Sequence, residues 1–210
     1  MTQNAPAPSR RAVFLDRDGT LNVDKRFVGS PDDVELAPGA ANGARALTDA
    51  GFLLIVASNQ SGIARGMFTD RQADAVDARV SELLAAQGAT IAAFYRCPHL
   101  PDAPLPAYAR DCPCRKPKPG MLLQAAAEWR IDLAQSWVVG DRARDIAAGR
   151  AAGCRAVSVI GSPPHEPPED FKAAPPDHAA QDLGDAARFI IAHAQDAGAF
   201  RPRPGEEGPR

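Results

Sequence analysis

Asp16 and Asp18 stand two positions apart, directly after the apolar run Ala12-Val13-Phe14-Leu15. Acids at that spacing project to one side of an extended chain. Gly19 then lets the backbone turn sharply, and Thr20 adds a hydroxyl. A second acid pair, Asp141 and Asp145, follows another apolar run, Trp137-Val138-Val139, and Gly140. If both runs are strands of one sheet, Asp16, Asp18 and Asp141 meet at its edge. Carboxylates gathered there repel each other, so a hard, oxygen-loving cation such as magnesium is the natural partner. The chemistry open to such a set is phosphate ester hydrolysis. An ionised Asp16 can attack phosphorus to give an aspartyl-phosphate that water later cleaves. Asp18 can protonate the leaving oxygen and then deprotonate the attacking water. Magnesium would screen the nucleophile's charge from the phosphate's. Any one of these acids alone reads more readily as a turn former or helix cap; two pairs after two apolar runs favour the chemical reading.

Two further segments fit phosphate binding. Ser58-Asn59-Gln60-Ser61-Gly62 offers hydroxyls, amides and backbone N–H groups after the run Phe52–Ala57. Arg115-Lys116-Pro117-Lys118-Pro119 supplies positive charge on a backbone that its prolines restrict. Just before it lies Cys97-Pro98-His99, then twelve residues, then Cys112-Pro113-Cys114. Thiolates and an imidazole in a set of four describe a closed tetrahedral zinc site. Zinc bound by Cys97, His99, Cys112 and Cys114 would order a segment, 96–119, that shows no periodicity. Cys154 stands apart and reads as a core residue. His165 and His178 carry no assignment.

The elements that must position these groups alternate. Short apolar runs at 12–15, 52–57, 91–95, 137–139 and 156–160 read as buried strands. Amphipathic stretches at 38–50, 69–87, 121–129, 143–152 and 181–193 read as helices, with Thr69 as a cap and Gly51 and Gly88 as stops. That rhythm predicts an α/β fold, a parallel sheet with helices on both faces. Ligands of such sheets sit at the carboxyl ends of the strands, where the acids stand. One domain over residues 10–195 is expected, with a loose lead-in at 1–9 and a disordered tail at 196–210.

Composition narrows the partners. The chain has 210 residues, 45% apolar and 24% charged, with a net charge of -2. That balance gives no electrostatic ground for a nucleic-acid partner. No apolar run reaches the roughly 20 residues of a membrane span, and the start lacks a signal peptide's apolar core. A cytoplasmic protein is expected, and there cysteines serve as ligands, reactive thiols or core residues.

The motifs Asp16-Arg17-Asp18-Gly19-Thr20-Leu21, Ser58–Gly62, Arg115-Lys116-Pro117 and Gly140-Asp141-Arg142-Ala143-Arg144-Asp145 resemble, in order, those of the haloacid dehalogenase-like phosphatases. The resemblance spans roughly residues 11–160 and implies a Rossmann-like sheet. It also implies Asp16 as nucleophile, Asp18 as acid/base, and Ser58 and Lys116 as holders of the phosphoryl group. Magnesium would be bound by Asp16, the Asp18 carbonyl and Asp141, with the Arg142 carbonyl as a further candidate. The zinc loop resembles the branch that holds the heptose bisphosphate and histidinol phosphate phosphatases. The segment Asn22–Val28 and the twelve-residue gap resemble its heptose members. Asp24, Lys25, Arg26, Phe27, Ser58, Asn59, Gln60, Ser61, Arg115, Lys116 and Arg142 would then contact a sugar bisphosphate, with Arg115 on the phosphate that is not cleaved. The insertions after residues 21 and 62 are short, so no separate cap domain is expected, and a monomer is. Other readings of the motifs are a histidinol phosphatase, a nucleic-acid 3′-phosphatase, disfavoured for want of a basic patch, and a non-catalytic zinc-stabilised module.

Overall fold

The computed structural model describes residues 9–164 and 169–196. The expected tail from 197 onward, the lead-in up to 8 and His165 lie outside them. Each apolar run becomes a strand: β1 (Ala12–Leu15), β2 (Leu53–Asn59), β3 (Ile91–Cys97), β4 (Trp137–Gly140) and β5 (Arg155–Val159). A further strand, β6 (His178–Ala180), has three residues, too few for alternation to show in the sequence. The helices are α1 (Ala40–Asp49), α2 (Ser61–Ala64), α3 (Asp70–Ala85), α4 (Gly120–Trp129), α5 (Ala143–Ala152) and α6 (Leu183–Asp196). Thr69 caps α3 as expected, and Gln72 completes the capping box.

All strand pairs are parallel, in the order β3-β2-β1-β4-β5-β6. The chain builds one half outward from β1 and then crosses to β4 to build the other. Both faces are covered because β1 is apolar on both. Val13 and Leu15 join a core with Leu47 of α1, Leu84 of α3 and Ile190 of α6. Ala12 and Phe14 join another with Met121 and Leu122 of α4 and Ala152 of α5. This is the expected Rossmann-like sheet.

The strand order changes direction between β1 and β4, which opens a crevice at their carboxyl ends, the usual ligand position in such sheets. Leu15 pairs with Val139 and Val56. Asp16 therefore emerges between the ends of β2 and β4, its N–H on the Val139 carbonyl at 3.0 Å. Among the described residues no additional domain covers this edge; the loops beside it are interrupted by single turns of helix at Pro31–Asp33 and Pro106–Tyr108 and by the four-residue α2. β3 runs two residues further than expected because its ladder with β2 continues to Asn59 and Cys97. That extension delivers Cys97 to the edge.

Candidate active site

Asp16, Asp141 and Asp145 are buried, with carboxylate oxygens within 4.8 Å of one another. Lys116, 100 positions from Asp16, places Nζ 2.7 Å from Asp16 Oδ1, 2.7 Å from Asp145 Oδ1 and 2.7 Å from the Ala57 carbonyl. The Asp145 contact is an ion pair whose alignment falls short of a hydrogen bond. Lys116 is aimed by Asn59, whose carboxamide accepts from the Lys116 N–H and donates to its carbonyl, each at 3.0 Å. Two glycines permit the crowding. A Cβ on Gly19, at φ +88, would overlap the Asp141 carboxylate, and one on Gly140 would overlap Asp145.

Burial, with repulsion from Asp145 opposing the pull of Lys116, holds the Asp16 carboxyl up at about 6. Burial and then the charges of Asp16 and Asp145 push Asp141 up to about 8. Burial alone would lower the Lys116 ammonium, but Asp145 and Asp16 outweigh it and raise its pKa. The three carboxylates crowd around one ammonium, with Arg142 Nε 4.0 Å from Asp141 Oδ2. An all-carboxylate oxygen set of this kind suits magnesium.

Asp18 does not share this cluster by its side chain. Its oxygens accept from Arg17 at 3.0–3.3 Å, Asn22 at 3.0 Å and Gln60 at 2.7 Å. Arg17, fully buried, is anchored in turn by Asp77 of α3 at 2.9 Å. Gln60 also donates to Ser58 at 2.8 Å, tying the acid to the hydroxyl of the β2 loop.

These groups open into a cavity of about 330 Å³ lined by Asp16, Asp18, Asp24, Arg26, Phe27, Ser58, Asn59, Gln60, Ser61, Gly62 and Arg144. Asp24 Oδ1 accepts from the Arg26 N–H at 2.7 Å and holds Arg26 in the left-handed region at φ +59. Several residues expected at the substrate stand elsewhere. Lys25 pairs with Glu35 at 3.4 Å on the surface. Arg115 Nη1 donates to the His99 carbonyl at 3.1 Å. Arg142 Nη1 contacts Glu169 at 3.1 Å, and none of the three lines the cavity. The sequence alone assigns no role to Asp145, Arg17, Asp77 or Arg144. Asp145, Arg17 and Arg144 stand within its motifs, whereas Asp77 carries no local signal.

Beside the cavity, Cys97, His99, Cys112 and Cys114 form a second metal-ready group. Sγ separations are 3.4 Å for Cys97–Cys112 and 3.1 Å for Cys112–Cys114, while His99 Nδ1 lies 3.4 Å from Cys114 and 3.7 Å from Cys97. A tetrahedron with metal–sulfur bonds of about 2.3 Å has edges of about 3.8 Å, so the cage needs only slight expansion to hold zinc. Burial and then Arg110 lower the His99 pKa, favouring the neutral imidazole a ligand must be. With Nδ1 on a metal, Nε2 would carry the proton, and Arg110 Nη2, now 2.5 Å away, would have to withdraw. The loop is pinned by Tyr108, whose hydroxyl donates to Asp70 at 2.6 Å. The Gln60 N–H donates to the Cys97 carbonyl at 2.8 Å, linking cage to cavity.

Comparison with known proteins agrees with this geometry. The D-glycero-beta-D-manno-heptose-1,7-bisphosphate 7-phosphatase of Yersinia pestis is 43% identical over 78% of this chain and 85% of its own length. The chain belongs to the haloacid dehalogenase-like hydrolase family. The Escherichia coli K12 enzyme of the same name is 42% identical over 75% of this chain and 83% of its own. A family profile described as HAD-hydrolase-like matches residues 113–186. Among solved structures, D,D-heptose 1,7-bisphosphate phosphatase from B. bronchiseptica, complexed with magnesium and phosphate, superposes with a TM-score of 0.74 at 32% identity, covering 87% of this chain and 99% of that one. A HAD-like phosphatase from Mesorhizobium loti gives 0.79 at 31%, covering 96% and 94%. As a member of this family the protein is a phosphatase, a hydrolase of phosphoric monoesters. No helix among the described residues is long and apolar enough to cross a membrane.

Proposed function

We propose that the protein removes the C7 phosphate of D-glycero-D-manno-heptose 1,7-bisphosphate and releases heptose 1-phosphate. The observation that supports this most is a buried Asp16–Lys116 pair opening into a small uncapped cavity, in a chain 43% identical to a phosphatase of that name. Asp16 attacks phosphorus and forms an aspartyl-phosphate while Asp18 gives its proton to the leaving C7 oxygen. Water then attacks the acyl phosphate, Asp18 takes the water's proton, and inorganic phosphate leaves. Ser58 and Lys116 hold the phosphoryl oxygens. Asp16, Asp141 and the Asp18 carbonyl would hold magnesium, which would supply positive charge against that developing on the phosphoryl group. Residues 10–195 form the phosphatase domain, acting as a cytoplasmic monomer on a small sugar bisphosphate.

The deciding measurement is a panel of both heptose bisphosphate anomers and histidinol phosphate. A higher kcat/KM on histidinol phosphate would sink the heptose assignment.

Magnesium makes a separate prediction. Asp16 and Asp141 hold protons to about 6 and about 8 in the folded chain, well above ordinary aspartate near 4. Folded protein thus binds more protons than unfolded between these values, and metal-free stability falls as pH rises through that window. Magnesium competes with those protons, so the rise in Tm that it produces should be larger at pH 8 than at pH 6. An equal or smaller rise at pH 8 would remove the acids from the metal site.

For the zinc cage, Cys112→Ser should lose bound zinc by elemental analysis and lower Tm, with kcat falling as Arg115 and Lys116 lose their anchor. One zinc retained per chain would refute the ligand set.

A further inference from the structure

Arg144 lines the reaction cavity together with Asp16 and Ser58, yet it makes no hydrogen bond or ion pair among the described residues. The other cations near the acids are committed. Lys116 is shared between Asp16 and Asp145, Arg142 contacts Glu169, and Arg115 donates to the His99 carbonyl. Arg26 lines the cavity too, in the segment of Asp24 and Phe27. Arg144 belongs to the acid end by charge and by chain. It precedes Asp145 in the first turn of α5 and stands exposed, within the field of Asp145, Asp16, Asp141 and Glu169.

A guanidinium that faces a cavity and has no hydrogen-bond partner among the described residues is matched to an anion that enters it. Planar, delocalised and always charged, it fits two phosphate oxygens at once. In phosphoryl transfer, negative charge spreads over three equatorial oxygens, and a second cation beside the lysine stabilises that distribution. We infer that Arg144 grips the phosphoryl group being transferred, as a substrate-binding and catalytic residue, while Arg142 instead secures the segment around Glu169.

This inference rests on the phosphatase reading but not on heptose as the substrate. The test uses Arg144→Gln and Arg144→Lys in the full chain. It follows heptose bisphosphate and p-nitrophenyl phosphate hydrolysis, inhibition by inorganic phosphate, and the magnesium concentration giving half-maximal rate. For Arg144→Gln, kcat/KM should fall on both substrates by about 10²-fold. The inhibition constant of phosphate should rise about tenfold, a value in line with loss of one charge-assisted contact. Half-saturating magnesium should stay unchanged, and Arg144→Lys should recover part of the loss.

A loss confined to the bisphosphate would assign Arg144 to the remote phosphate and overturn the inference. Unchanged phosphate inhibition, or a shift in magnesium dependence alone, would overturn it as well. If the wild-type protein left heptose bisphosphate intact, the p-nitrophenyl phosphate and inorganic phosphate arms would still decide Arg144's role.

Discussion

Asp16→Asn is expected to lower phosphate release by at least about 10³-fold, as loss of a nucleophile does elsewhere, with little change in stability. The amide keeps an oxygen where Lys116 Nζ now donates at 2.7 Å, so the lysine stays satisfied. It also removes one charge from three mutually repelling buried acids. Lys116 keeps Asp145 as its ion-pair partner. Folding therefore loses little, while the atom that attacks phosphorus is gone. The check is turnover beside thermal unfolding on the same preparation. Residual activity above a tenth of wild type would contradict Asp16 as nucleophile, and a large fall in Tm would contradict the electrostatic account.

Lys116→Met is expected to lose both activity and stability. The ammonium is 4% exposed and is the one cation held within 3 Å of both Asp16 and Asp145 among the described residues. Methionine fills much of the same volume, so the loss is one of charge rather than packing. Breaking a buried ion pair on one side costs about 3–5 kcal/mol, because the remaining charges stay desolvated. The Ala57 carbonyl also loses its donor. Protonation can relieve the stranded Asp16, whose pKa is already raised to about 6 and would rise further without the lysine. The stability gap to wild type should then be small at pH 5 and large at pH 8, read by urea unfolding. A constant gap across that range would show that packing, and not the uncompensated carboxylates, sets the cost. Together the two variants separate the roles of the pair: one removes chemistry alone, the other removes chemistry and fold.

What the sequence determined by itself was local. The strands of this protein are apolar on both faces, and a run such as Ala12–Leu15 must be covered from two sides wherever it lies. Helix periods, the Thr69 cap and the glycine stops are equally short-range. The acids after β1 and β4 and the cysteine–histidine spacing could be read because strand ends and chelate loops put ligands at fixed offsets. The three-residue β6 could not, since its pairing with β5 carries nearly all of its signal.

Tertiary structure decided which side chains meet. Lys116 reaches Asp16 across 100 positions only because Asn59 clamps the Lys116 backbone against the end of β2. Asp77 steadies Arg17, and through it Asp18, across 60 positions because α3 is seated against β3. In the first turn of α5, Asp145 turns inward to the acids and Arg144 faces the cavity, while Arg142 before it turns to Glu169. Spacing along the chain sets the offset between such neighbours. The direction each one faces depends on how the helix is seated on the sheet, and that seating is a property of the whole core.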